Sequence, residues 1–370
     1  MTAERDIVGL TLPFVAGTAA SFFLQTSSGA VSTLSLILIS VGLLLLIHPS
    51  HKTLASNTLW YIIITLAFLC GLFSATTWHL TSATKIQLYS GAGIGAHDFA
   101  NNIKRHIFDI PFSDKSTNGL ICALITGDRS SLPRSITASF RDSGAAHILA
   151  LSGLHIGIIY GIIKALLSKI TGGLRHSRII CSIITISACG FYTIATGAGA
   201  SIVRAFIFIL LGETASLTCR RRSLTSILMT SLLLHTLIWP EALKSISFQL
   251  SYAAMAGIAY IYPRLNRIWS GRRETEGCGL KILDWIWDSA AISISCQITT
   301  GPLAWFYFKS IPAYFLITNL IAIPLVGLII PASLCTLLLH SAGLCPMIVV
   351  RFTEYITKIL VDSLDVISSF

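Results

Sequence analysis

Long apolar runs recur from one end of the chain to the other. A hydrocarbon layer about 30 Å thick needs roughly 20 apolar residues in helical form. The 370 residues are 54% hydrophobic and only 11% charged, whereas soluble domains carry about 25% charged residues. The sequence therefore predicts an all-α polytopic membrane protein with about ten or eleven transmembrane helices, some of them broken or re-entrant.

The predicted spans follow directly from these runs. They are Ile7–Leu24, Val31–Ile47, Leu59–Trp78, His147–Leu167, Ile179–Thr196, Ser201–Leu217, Leu224–Trp239, Ile246–Tyr262, Ala290–Phe308, Ile311–Leu339 and Met347–Ile367. Proline breaks helices, so Pro312, Pro324 and Pro331 predict half-helices in the long run. We also expect breaks from Gln297 to Pro302 and at Thr318–Asn319, where irregular backbone would line an aqueous path.

Basic residues cluster in three loops, which lie at Lys164–Arg178, Arg220–Arg222 and Arg264–Lys281. Two predicted spans separate each loop from the next, so all three fall on one face, which the positive-inside rule makes cytoplasmic. We therefore expect an N-terminal three-helix membrane segment (1–79), a non-cytoplasmic connector (80–145) and a membrane core (146–370).

The connector contains one amphipathic pattern. Phe99, Ile103, Ile107 and Ile110 recur at helical spacing, with polar side chains on the opposite face. This pattern predicts either a helix that lies on the membrane surface or a solvated connector helix.

One span carries an unusual density of polar residues, because His147, Ser152 and His155 interrupt its apolar run. Ser152 and His155 are three residues apart and share a helical face. The histidine spacing does not match a helical zinc pair, and no acidic third ligand lies nearby. No oxyanion hole or orienting acid is evident, so a hydrogen-bonded or pore-facing role is favoured over Ser–His catalysis. Gly153, Gly157 and Gly161 predict close approach of another helix.

Four further polar residues lie inside apolar runs. Arg204 is the fourth residue of its span, so its side chain either reaches the interface or faces a water-filled cavity that admits a phosphate or carboxylate. Gln249 and Asn319 offer amides for helix–helix hydrogen bonds or for a substrate path. Glu213 is a predicted ion-pair partner of the arginine cluster that follows it.

Several motifs together resemble the signature of the ComEC family of competence proteins. They are Gly127-Asp128-Arg129, Phe140 to His147, Leu149 to His155, Thr196-Gly197 with Arg204-Ala205, Pro240 through Phe248 to Tyr252, Gly301-Pro302, and Asn319 with Pro324-Leu325. The resemblance covers about 120–334. Members of this family are membrane channels that internalise DNA in naturally transformable bacteria.

The resemblance implies uptake of single-stranded DNA through a multi-pass channel in the bacterial cytoplasmic membrane. It places on the substrate path His147, Ser152, His155, Arg204, Gln249 and Asn319. The implied partners are single-stranded DNA, membrane lipid, a separate nuclease and a cytoplasmic translocation motor. We expect no cofactor, no metal and no enzymatic activity of this chain.

The chain also departs from the longer family pattern. The connector is too short for the OB-like domain, and no HxHxDH cluster of a metallo-β-lactamase-like nuclease occurs, so we expect both domains to be absent. Either another polypeptide supplies their roles, or the protein has changed to a different cargo. No GxxxxGK[ST] motif occurs, so energy for movement must come from elsewhere. Three other hypotheses remain: a small-molecule or ion transporter built on the same core, an enzyme acting through Ser152 and His155, and a structural scaffold.

Overall fold

The computed structural model describes residues 2–23, 35, 38–39, 56–171, 175–218, 223–270, 278–309 and 314–369. These residues form helices and connecting segments, with no strand among them. The α-helices are α1 (Thr2–Phe23), α2 (Ser56–Asp109), α3 (Lys115–Thr126), α4 (Arg134–Asp142), α5 (Ala146–Leu149), α6 (Gly153–Thr171), α7 (Arg175–Ala195), α8 (Ala200–Leu217), α9 (Leu224–Ile238), α10 (Ile246–Ala256), α11 (Tyr262–Ser270), α12 (Cys278–Phe308), α13 (Phe315–Ser341) and α14 (Met347–Ser368).

Five of the described helices contain a stretch long and apolar enough to cross a membrane. These stretches are Trp60–Thr77, Gly153–Thr171, Arg178–Ala195, Ala200–Leu217 and Phe315–Ser341, and two shorter apolar helices occur at Asp6–Phe22 and Leu224–Ile238. The described residues thus agree with an all-α membrane protein. The total of ten or eleven spans stays a prediction, and the predicted span Val31–Ile47 lies almost wholly outside the described residues.

The helix breaks predicted at prolines are wrong for α12 and α13. Pro302 lies inside α12, and Pro324 and Pro331 lie inside α13, yet both helices are continuous. A proline removes one backbone donor, and neighbouring helices and local adjustments can re-satisfy the carbonyl that is left. Irregular backbone occurs instead before α6, at the 3-10 turn Pro240–Lys244 and in the π-helical turn Gly257–Ile261. Pro312 is outside the described residues.

Contacts divide the chain into two compact units. Unit 1 comprises Met1–Ala92 and Thr214–Tyr252, and unit 2 comprises Gly93–Glu213 and Ala253–Phe370. This division follows packing, whereas the predicted segments 1–79, 80–145 and 146–370 follow membrane crossings.

In unit 1, α1 and α2 approach with their backbones almost in contact. A Cβ at Gly17 would overlap the carbonyl oxygen of Phe68, and a Cβ at Gly71 would overlap that of Phe14. The hydroxyl of Thr18 donates to the carbonyl of Phe14 at 2.9 Å and to that of Gly71 at 3.3 Å. Small residues at this crossing therefore permit the close packing that stabilises helix pairs in lipid.

The largest apolar cluster of unit 2 joins α3, α4, α5, α13 and α14. Its members include Phe140, Ile148, Leu149, Val326 and Leu360, all almost fully buried. The hydroxyl groups of Thr336 in α13 and Thr353 in α14 lie 2.9 Å apart, which links the two helices. The short helix α5, which precedes α6, is thus anchored in the best-packed part of the unit.

The predicted amphipathic helix forms the end of α2. Ile107 and Ile110 are fully buried, and with Ile103 they pack against residues of α3 and α14. Phe99 is 46% exposed but makes an edge contact with Phe191, with ring centroids 5.0 Å apart. Protein covers most of this apolar stripe, so the stripe itself does not rest on a lipid surface.

A buried carboxylate ties together α6, α7 and α8. Glu213 accepts hydrogen bonds from the Tyr160 hydroxyl (2.5 Å) and the Ser182 hydroxyl (2.6 Å), and it forms an ion pair with Lys164. The predicted partners Arg220–Arg222 lie outside the described residues. Within the described chain, the charge of Glu213 is balanced by a lysine from the neighbouring helix.

Substitution of Gly17 or Gly71 by alanine tests the α1–α2 crossing. We expect each substitution to destabilise the protein by about 1–3 kcal/mol. The added methyl group would overlap backbone atoms of the other helix, which cannot move away as a flexible side chain can. The measurement is thermal unfolding of the purified protein in detergent.

Gly157 supplies the matched control, because no atom of the described residues lies within 4 Å of a Cβ at this position. Alanine there should be neutral or slightly stabilising, since glycine in a helix interior costs about 0.5–1 kcal/mol relative to alanine. Equal losses at Gly17 and Gly157 would contradict the close crossing.

Candidate functional site

Helix α6 begins six residues later than its predicted span, because Ser152 caps it. The Ser152 hydroxyl accepts a hydrogen bond from the N–H of Leu154 at 3.3 Å. In return, Nδ1 of His155 accepts from the N–H of Ser152 at 3.3 Å. This is a capping box in which histidine occupies the third helical position, where glutamate or glutamine is usual. The predicted pairing of Ser152 with His155 therefore exists and has a local cause.

The capping box decides which nitrogen of the neutral His155 ring carries hydrogen. Nδ1 accepts from the Ser152 backbone and lies 3.1 Å from the Ser152 hydroxyl oxygen. The hydrogen of the neutral ring therefore resides on Nε2, which is a donor. The residue is 1% exposed, and Nε2 has no hydrogen-bond partner among the described residues. An unsatisfied buried donor costs about 1–3 kcal/mol. An acceptor bound to Nε2 would remove this cost.

Arg204 belongs to α8, and its side chain lies against the first turn of α6. Its Nη2 is 3.6 Å from the point where a Cβ of residue 153 would stand, and the Ala205 methyl group is 3.3 Å from the same point. Ile156 of α6 and Ile202 of α8 are fully buried in one apolar cluster, which holds the two helix starts together. Arg204 is only 8% exposed. The side chain is thus enclosed by protein, and the water-filled cavity predicted around it stays a prediction.

Among the described residues, Gly153 has side chains of another helix close by, whereas no described atom lies within 4 Å of a Cβ at Gly157 or Gly161. For those two positions the close approach stays a prediction. Because Gly153 has no side chain, the guanidinium of Arg204 lies close to the start of α6. This is the positive end of the helix dipole. We call Ser152, Gly153, His155 and Arg204 the α6 start site.

His147 lies beside this site on α5. Its side chain is exposed, with Nδ1 3.2 Å from the carbonyl oxygen of Gly144. Gly144 has φ +86°, a left-handed conformation that favours glycine. The turn thus directs the chain from α4 into α5.

Two side chains from other elements clamp the segment that leads to the α6 start site. Nε of Arg129 donates to the carbonyl of Leu149 at 3.1 Å. The hydroxyl of Thr318 in α13 donates to the carbonyl of Ser143 at 2.7 Å. Sequence reasoning named Arg129 only within the Gly127-Asp128-Arg129 motif and Thr318 only at a predicted helix break. Their contacts span 20 and 175 residues, so no local pattern reveals them.

The loop that carries Arg129 is itself held in place. Gly127 has φ +80° and ends α3, and a Cβ there would overlap the side chain of Leu151. Asp128 forms an ion pair with Lys104 of α2 and accepts from the N–H of Ser130 at 2.8 Å. The hydrogen bond from Lys104 is the main cause that lowers the pKa of Asp128 to about 2.

The remaining two predicted site residues, Asn319 and Gln249, lie in different units and have different hydrogen bonding. Asn319 follows Thr318 in unit 2, and its Oδ1 is buried with no hydrogen-bond partner among the described residues. Gln249 is in unit 1, where its amide donates to the carbonyl of Leu243 at 2.8 Å. This bond holds the 3-10 turn Pro240–Lys244 against the start of α10. Within the described chain, no three His, Cys, Asp or Glu side chains are grouped as metal ligands.

Comparison with known proteins identifies the family. The profile described as Competence protein matches residues 124–370. The chain belongs to this family. The match includes the Gly127–Arg129 loop and the whole α6 start site, and it confirms the predicted resemblance to ComEC-type proteins.

Two curated proteins are similar to this chain over part of their length. "Uncharacterized protein YcaI" of Escherichia coli (strain K12) is 28% identical over 231 residues, which are 61% of this chain and 30% of that protein. "ComE operon protein 3" of Bacillus subtilis (strain 168) is 29% identical over 155 residues, which are 41% of this chain and 19% of that protein. The matched regions thus span less than a third of either relative. No solved structure matches the chain.

The Lys104–Asp128 contact predicts a pH dependence of the loop at 127–132. A lowered folded-state pKa means that Asp128 stabilises the loop above its ordinary value of about 4. That contribution is lost as the pH falls towards about 2. We therefore expect Asp128→Asn to accelerate cleavage of this loop by pepsin at pH 4, as measured by mass spectrometry, and to have no effect near pH 2.

Asp142→Asn is the control, because Asp142 is an exposed carboxylate on the neighbouring helix α4. Its effect on cleavage of the 127–132 loop should be small at both pH values. An Asp128→Asn effect that persisted unchanged at pH 2 would contradict the proposed ion pair.

Proposed function

We propose that this protein forms a channel that carries single-stranded DNA across the cytoplasmic membrane during natural transformation. Membership in the competence family supports the process, and the α6 start site supports the chemistry. The main structural support is that a buried arginine and a buried imidazole donor lie at the first turn of one apolar helix. A DNA strand carries one negative charge per nucleotide and cannot cross hydrocarbon without such groups.

The arrangement of helix starts suggests where the strand enters. The α6 and α8 starts meet at Gly153 and Arg204, and Thr318 places the α13 start beside the segment before α6. The basic residues Lys169 and Arg178 lie in the last turn of α6 and the first turn of α7, at the end of α6 away from this site. If basic loops are cytoplasmic, the α6 start site faces the outside and meets the strand first.

The site suits a cargo that moves. A chain that slides cannot be held tightly at every phosphate, because conduction requires contacts that are easily left. Arg204 supplies charge in a setting of low dielectric, where its attraction for a phosphate acts over a longer range than in water. The channel would therefore hold few phosphates at a time and would not read base sequence.

Uptake of labelled DNA tests this proposal. We expect deletion of the gene to abolish nuclease-protected single-stranded DNA in cells, and expression of the wild-type chain to restore it. Arg204→Ala should lower uptake about tenfold or more at equal protein level, because one lost charge-assisted contact costs about 1.5–3 kcal/mol. Arg204→Lys should lie between the two, since lysine keeps the charge but loses the planar fork.

Arg134→Ala is the matched control, because Arg134 is an exposed arginine at the start of α4. Its uptake should equal that of the wild type. Normal uptake in the deletion strain would reject the channel and leave the small-molecule transporter or scaffold hypothesis in its place.

A further inference from the structure

We infer that the α6 start site binds one phosphodiester group of the translocating strand, with His155 donating from Nε2 to a phosphate oxygen and Arg204 supplying the positive charge. The identity of the ligand rests on the proposed function. The geometry of the donors does not, because it follows from the capping box and the packing of α6 against α8.

The imidazole is oriented by the backbone that it caps. Its Nδ1 is occupied by the N–H of Ser152, so the ring cannot turn that nitrogen towards a ligand without uncapping α6. The opposite nitrogen of the ring, Nε2, then carries the hydrogen and lies at the first helical turn. The residue has 1% of its surface exposed, and no described residue accepts from Nε2. A buried donor held in this way is built for an acceptor that comes from elsewhere.

Three features make an oxyanion the fitting acceptor. The positive end of the α6 dipole favours an anion at this helix start. The N–H groups of Ser152, Leu154 and His155 are already hydrogen-bonded within the cap, so the dipole acts through its field. Arg204 lies against the same turn, with Nη2 3.6 Å from the Cβ position of residue 153. A guanidinium binds phosphate oxygens through its planar fork. A neutral acceptor such as a carbonyl would use the histidine but would gain little from the charge.

A phosphodiester occurs both in nucleic acid and in phospholipid, and burial favours the first. His155 and Arg204 are 1% and 8% exposed, so neither side chain presents itself on the surface of the unit. The headgroup of a surrounding lipid meets the outer surface of a helix bundle, whereas a threaded strand passes within it. We therefore assign the site to the strand.

The test is binding of fluorescent oligothymidylate to the full chain in a maltoside detergent, which contains no phosphate. Fluorescence anisotropy compares the ordinary oligomer with one of equal length whose linkages are uncharged methylphosphonates. We expect the wild type to bind the charged oligomer at least about tenfold more tightly, since a charged hydrogen bond is worth about 1.5–3 kcal/mol.

Two substitutions separate the ligand contact from the capping role. Glutamine at 155 keeps an oxygen that accepts from the Ser152 N–H and an amide that donates, so His155→Gln should retain binding to within a few fold. Glutamate keeps the capping oxygen but replaces the donor with a carboxylate, so His155→Glu should lose about tenfold or more. Thermal unfolding shows whether either variant is impaired in folding rather than binding.

His106→Glu is the charge control, because His106 is an exposed histidine of α2 and should leave binding unchanged. Equal affinity for charged and uncharged oligomers, or unchanged binding in His155→Glu, would overturn the inference. So would a His155-dependent affinity for added phosphatidylglycerol together with oligomer binding that ignores His155, because the site would then belong to lipid.

The two proposals fail in different ways. If cells depend on this protein for uptake but His155→Glu binds DNA normally, only the phosphodiester site is wrong. If the wild type binds no oligomer and deletion leaves uptake intact, the channel itself is wrong.

Discussion

The backbone N–H groups in the first turn of α6 have no carbonyl oxygen of a preceding turn to donate to. An apolar environment makes these groups costly to leave unpaired. Ser152 and His155 satisfy two of them reciprocally. Because α6 can begin there, the chain before it is free to follow an irregular path from Gly144 through α5. Because the imidazole is committed on one side, its other nitrogen is left as a buried donor with no acceptor among the described residues. The arrangement of the site therefore depends on one capping interaction.

Irregular backbone beside a membrane helix needs support from the protein itself, and here the support comes from two directions. Arg129 donates a hydrogen bond to the carbonyl of Leu149, and Thr318 donates one to the carbonyl of Ser143. Lys104 and Asp128 fix the loop that carries Arg129. Each contact joins a different element to the segment before α6. Movement of α2 or α13 would consequently alter the position of the α6 start, which makes these residues positioning groups for the site.

Local patterns in the sequence predicted the helices well and the tertiary contacts poorly. The apolar runs around α6, α7, α8 and α13 became helices because length and hydropathy are local properties. The prediction at Pro324 was wrong because a helix in a packed bundle tolerates a missing donor that an isolated one would not. Gly157 matched a small-residue pattern, but no described helix lies against it. The partner of Glu213 was missed because Lys164 lies 49 residues earlier in the chain.

The spacing of charges along α8 bears on how a strand could pass. Arg204 and Glu213 are nine residues apart, which is about 13.5 Å along a helix axis. Glu213 is engaged by Lys164, Tyr160 and Ser182, so its charge is compensated where it stands rather than by Arg204. The positive charge at the α6 start is thus not cancelled by the acid on its own helix. If the proposed channel follows α8, a strand would meet a locally neutral network farther on, which neither traps its phosphates nor repels them strongly. Attraction at the entry with neutrality beyond it favours passage over tight binding.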